Sequence, residues 1–144
     1  ALSDAEKERY RVLGYQDRMG ETMAATDMVI SRAGATSLAE ISARRIPALL
    51  VPFPYATADH QTTNAKAYVE RGAASMIADA DVESDEFAEQ VFNLIENKDV
   101  RESMTRAAAT FKTEDAAAKL ADVVLAAASA NQSDTMWGGS GGSA

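Results

Sequence analysis

The chain contains no cysteine and only one histidine, His60. Without thiols there is no disulfide framework and no thiolate metal site. One histidine outside any carboxylate cluster is a poor basis for a structural metal, so neither a metal nor another cofactor is expected. His60 also has no cysteine to pair with and no serine in a nucleophile-elbow setting beside it, which removes the usual covalent triads. Positive charge is scarce: 14 Lys and Arg against 22 Asp and Glu give a formal charge of -8. That balance argues against a nucleic-acid or anionic-membrane surface on this piece. No run approaches the roughly 18 apolar residues of a membrane span, and no signal peptide opens the chain. A cytoplasmic protein is therefore expected, and the start at Ala1 rather than Met suggests a processed or excised piece.

What the chain does contain is enough for a core. Its 144 residues are 47% hydrophobic, the size and composition of one globular domain. The informative stretch runs from Asp27 to Asn64. Two apolar runs, Met28 to Ser31 and Ala48 to Val51, read as buried strands. Each ends at a loop that feeds a helix start, which is how an open parallel α/β sheet presents a ligand crevice. In the first loop, Gly34 lets the backbone turn and approach a ligand, and Thr36 or Ser37 can cap the following helix. Free N–H groups and the positive end of the helix dipole make that turn a seat for phosphate. Glu40, one turn on, can accept two hydrogen bonds from a vicinal diol, but Ser37-x-x-Glu40 also satisfies a capping box. Both readings of Glu40 stay open. In the second loop, Pro52 and Pro54 stiffen a segment that leads to His60, Gln61 and Asn64, whose imidazole and amide groups can hydrogen-bond neutral hydroxyls.

The remaining elements follow from spacing. Ser3 to Tyr10 reads as a helix with Ser3 and Glu6 as a capping pair, and Arg11 to Tyr15 as a short strand. Asp17 to Thr26 reads as a helix with Met19 and Met23 facing a core, and Ser37 to Ala43 as the helix after the first loop. A helix to Arg71 stops at Gly72, and Ser75 to Ala78 is a further strand. Ser84 caps a helix to Glu96 carrying Phe87, Val91, Leu94 and Ile95 at helical spacing, and Asp99 to Phe111 is the next. Thr113 opens an alanine-rich helix to about Ala130. Residues 131–144 read as a flexible Gly/Ser-rich tail or linker, because the glycine run has neither a strand before it nor a helix after it.

Three ordered motifs carry a family resemblance. Ser31-Arg32-Ala33-Gly34-Ala35-Thr36-Ser37-Leu38-Ala39-Glu40, then Val51-Pro52-Phe53-Pro54, then Asp59-His60-Gln61-x-x-Asn64-Ala65 resemble the donor-binding half of the MurG family. Those enzymes are the peptidoglycan N-acetylglucosaminyltransferases that convert lipid I to lipid II, and they have the two-domain GT-B fold. The resemblance covers about Arg11 to about Leu125. It implies an incomplete Rossmann-like parallel sheet with flanking helices, a partial C-terminal GT-B domain over residues 1–130, and UDP-N-acetylglucosamine as ligand. By position, Arg32, Ala33, Gly34 and Ala35 form the family's turn, with Thr36 and Ser37 beside the diphosphate. Glu40 takes the ribose, His60 and Gln61 read the sugar hydroxyls, and Asn64 supports their loop. Tyr15, Asp17 and Met19 match the run that borders the uracil, with the Gln16 backbone at the base edge.

The resemblance also implies what is missing. The family's donor domain opens with a strand, a Gly-Gly-Ser-Gln loop, a helix and a second strand, none of which precedes Ser3. The acceptor domain, with the membrane-facing surface and proposed general base, is absent too, so no catalytic residue is assigned and the chain alone is expected to transfer no sugar. The full-length enzyme is expected at the cytoplasmic face of the cell membrane, meeting lipid I through its N-terminal domain. Open strand edges are expected to make this piece self-associate or only partly native. Two other readings remain: a different GT-B enzyme acting on UDP-sugars, and a non-enzymatic Rossmann-like interaction module.

Overall fold

The computed structural model describes residues 3–56 and 59–111. The helix read at 113–130 and the tail at 131–144 lie outside the described residues. In chain order the elements are α1 (Asp4–Arg9), α2 (Met19–Ala24), β1 (Val29–Ser31), α3 (Ala35–Arg44), β2 (Ala48–Leu50), α4 (His60–Val69), β3 (Ala74–Met76), a 3₁₀ turn (Asp79–Asp81), α5 (Asp85–Glu96) and α6 (Lys98–Ala108).

The sheet is parallel, in the order β1-β2-β3. Val29 pairs with Ala48 and Ser31 with Leu50, and Ala48 in turn pairs with Ala74 and Leu50 with Met76. β2 is buried along its whole length because helices cover both faces. On one face Ala48 and Leu50 pack with Leu38 and Ile41 of α3, Ala65 of α4 and Met23 of α2. On the other, Leu49 and Val51 pack with Ile77, Leu94 of α5, and Val100 and Met104 of α6. The alternation follows from the two-residue period of a strand, and it leaves the carboxyl ends of β1 and β2 at a crest between the helix layers.

Four expectations need correction. Arg11 to Tyr15 is not a strand: a strand needs a neighbouring ladder, and none of the three strands pairs with it. Its Val12, Leu13 and Tyr15 side chains are 77%, 61% and 82% exposed. β1 is not a buried run either, because among the described residues it pairs on one side only and Ile30 is 43% exposed. The helix read at Asp17 to Thr26 is confined to α2, and of its two methionines Met23 is buried while Met19, at the first position, is 47% exposed. Finally, α3 starts two residues before Ser37, so neither Thr36 nor Ser37 is its cap.

Helix ends elsewhere follow their local chemistry. Ser84 Oγ accepts from Phe87 N at 3.2 Å and Asn97 Oδ1 from Val100 N at 3.3 Å, which caps α5 and α6. Gly72, at φ +72, closes α4: Gly72 N donates to Val69 O and Ala73 N to Tyr68 O, the paired bonds of a Schellman ending. Arg45, at φ +56, does the same for α3 through Arg45 N to Ser42 O and Ile46 N to Ile41 O.

Candidate nucleotide-sugar site

The crest is built from the loop after β1 and the loop after β2. Gly34 is the residue that enters α3, at φ -67 and ψ 144. That is an ordinary extended conformation, so glycine is not needed there for a special turn. What Gly34 contributes is room, since a Cβ built on it meets nothing within 4 Å. The first intrahelical bond is Leu38 N to Gly34 O at 3.0 Å. The N–H groups of Ala35, Thr36 and Ser37 therefore precede the helical ladder, and among the described residues no side chain caps them. With the helix dipole behind them, these three donors form an open seat for an anion. Because Ser37 is inside the first turn, no capping box with Glu40 forms. Glu40 is an exposed carboxylate on α3, one turn from the seat.

The second loop is tied to the first by side chains of α4. Gln61 Oε1 accepts from Ala33 N at 3.2 Å and from Phe53 N at 3.0 Å, one donor from each loop. Two N–H donors on one atom fix the amide orientation, and Nε2 has no protein partner among the described residues. Asn64, one turn along, donates from Nδ2 to Ala33 O at 3.3 Å, reaching the first loop rather than its own. His60, the first residue of α4, is exposed, and Asp59 ahead of it has φ +53. So Arg32, Ala33, Gly34, Ala35, Thr36, Ser37, Gln61 and Asn64 are brought together, with His60 at the same end of α4.

Arg32 is engaged with protein groups. Its Nη1 donates to Val51 O at 3.3 Å and to Pro52 O at 3.4 Å, and makes its closest contact with Asp79 Oδ1. The guanidinium lies 5.6 Å from the centre of the Phe53 ring, within cation–π range. One arginine thus joins the carboxyl ends of all three strands, and its charge is already partnered by Asp79. It also lines an open cleft of about 280 Å³ with Ile30, Ser31, Val51, Val82 and Phe87. That cleft lies on the α5 face of the sheet, not over the N-terminus of α3.

The uracil-bordering positions are less tied down. Tyr15 is exposed, Gln16 is half-buried with its Oε1 accepting from Arg18 N at 3.2 Å, and Met19 begins α2. α2 packs on α3, and a Cβ on Gly20 would lie 3.6 Å from Arg44 near the far end of that helix. No bond among the described residues links Tyr15, Gln16 or Met19 to the crest. Asp79 was not singled out from sequence. Its place just beyond β3 is the signal that could have found it, because a parallel sheet collects all its strand ends on one edge.

A family model described as the glycosyltransferase family 28 C-terminal domain matches residues 2–120. The chain belongs to this family. It is 40% identical over 132 residues to the UDP-N-acetylglucosamine–N-acetylmuramyl-(pentapeptide) pyrophosphoryl-undecaprenol N-acetylglucosamine transferase of Clavibacter michiganensis, covering 92% of this chain and 36% of that protein. The transferase of the same name from Leuconostoc mesenteroides is 40% identical over 124 residues, covering 86% and 34%. A crystal structure of Acinetobacter baumannii MurG superposes with a TM-score of 0.61 at 32% identity, over 68% of this chain and 28% of that one. This family 28 C-terminal domain therefore spans about a third of the length of the curated relatives it matches. Among its described residues no helix is long and apolar enough to cross a membrane.

Proposed function

We propose that this domain is the donor-binding portion of an inverting hexosyltransferase that moves N-acetylglucosamine from UDP-N-acetylglucosamine to lipid I, giving lipid II for peptidoglycan. The observation that carries the reading is the bridge at Gln61, which holds the loop around Gly34 and the start of α4 at one crest. The diphosphate sits on the N–H groups of Ala35, Thr36 and Ser37, and Glu40, free of any capping duty, takes the ribose hydroxyls. Gln61 Nε2 and His60 face the sugar, while Asn64 holds the first loop through Ala33 O. Tyr15, Gln16 and Met19 border the uracil.

Displacement of UDP builds negative charge on the leaving diphosphate, and fixed backbone dipoles stabilise that charge without reorganising. The general base and the lipid I site come from the rest of the enzyme, which acts peripherally at the cytoplasmic face of the membrane. Calorimetric titration with UDP, UDP-N-acetylglucosamine and UDP-glucose tests this reading. UDP and UDP-N-acetylglucosamine bind and UDP-glucose binds more weakly if it holds; absence of UDP binding overturns it.

A further inference from the structure

We propose that Asp79 is a built-in counter-anion with which a donor diphosphate must compete for Arg32, so that this carboxylate sets how strongly the site discriminates by ligand charge. The inference rests on the donor reading given above. Its starting point is that Arg32 follows β1 directly and stands two residues before Gly34, and that all three acceptors on its Nη1 are protein groups. The two carbonyl contacts, at 3.3 and 3.4 Å, are long. The carboxylate contact is the charge-assisted one and dominates. The pair is open to water, with Arg32 and Asp79 side chains 49% and 32% exposed, so a ligand anion can exchange for the carboxylate without unburying a charge.

Charge around the crest makes the exchange matter. Arg44 and Arg45 stand at the opposite end of α3, and Lys66 and Arg71 lie toward or beyond the far end of α4. Arg32 is thus a cation fixed at the carboxyl ends of the strands by Val51 O, Pro52 O and Asp79. Asp79 neutralises it and holds it on the α5 side of the crest. Nε and Nη2 have no protein partner among the described residues, so the guanidinium has donors left for a phosphate. A diphosphate drawn to those donors meets a guanidinium whose charge Asp79 already offsets, so its net electrostatic gain is smaller by that pairing.

The test is a double-mutant cycle on the whole chain, read by calorimetry with UDP, UMP and uridine. Asp79→Asn keeps an acceptor of the same shape for Nη1 while removing the charge. It is expected to tighten UDP roughly three- to fivefold, UMP by less and uridine not at all, the scale set by an exposed ion pair. In an Arg32→Gln background the gain from Asp79→Asn falls below about 1.5-fold, because a more distant carboxylate is screened. Unchanged or weaker UDP binding by Asp79→Asn, an equal change for uridine, or a gain that persists without Arg32 each overturns the inference while leaving the donor reading intact. Failure of the unsubstituted chain to bind UDP overturns both.

Discussion

Gln61 spends its side-chain oxygen on the fold, accepting from Ala33 N and Phe53 N at once. Ala33 is fully buried, and an unmet donor there carries its full desolvation cost. Gln61→Ala is therefore expected to lower the unfolding free energy by about 1–2 kcal/mol, measured as a lower urea midpoint. Gln61→Glu keeps the acceptor and loses less, yet weakens UDP binding by adding negative charge. A stability loss shared equally by the two variants would contradict the bridge. Glu40 predicts the reverse pattern, since it is exposed and outside any capping box. Glu40→Ala should leave stability within about 0.5 kcal/mol while costing UDP roughly tenfold or more in affinity, the scale of hydrogen bonds to a charged acceptor. Equal affinity of the variant for UDP would remove Glu40 from the site. The two readings of Glu40 could not be separated from sequence, because Ser37-x-x-Glu40 fits a capping box whether or not the helix starts there. Only the position of Gly34 at the helix entrance removes the capping box.

At the level of elements, α3 has an open N-terminus and a closed C-terminus. The C-terminal bonds require a left-handed residue, and Arg45 fills that place at φ +56. Arg45→Gly relieves the strain of a side chain in that conformation and should raise stability by roughly 0.5–1 kcal/mol, with the urea midpoint rising and the slope unchanged. A lower midpoint would mean that the Arg45 side chain makes a contact worth more than the strain. Elements with local signals were legible in the residues: the Ser84 cap, the apolar spacing of α5, and the stop at Gly72. The start of α6 was placed one residue late, at Asp99, its end three residues late, at Phe111, and its Asn97 cap was not read. The segment Arg11 to Tyr15 was misread for a different reason. Its pattern suits a strand, but strand formation depends on a neighbour that no local pattern reveals.

On the scale of the whole molecule, β1 is paired on one side only among the described residues, with Ile30 exposed on it. Such an edge is a template for another chain. Light scattering of the chain at high micromolar concentration should report a mass above the monomer, and Ile30→Lys should restore the monomer. A monomer at every concentration for the unsubstituted chain would contradict the edge argument. The parallel architecture itself was readable from two apolar runs that each feed a helix start. The Arg32 and Asp79 pairing was not, because it joins residues 47 positions apart through strand ends. The common crest holding the Gly34 and His60 loops is what the functional account needs. Amide chemical-shift mapping of the isotope-labelled chain during titration with UDP-N-acetylglucosamine examines it directly. The account predicts saturable shifts at Ala35, Thr36, Ser37, Glu40, His60 and Gln61; shifts confined to α5 and α6, or none at all, would contradict it.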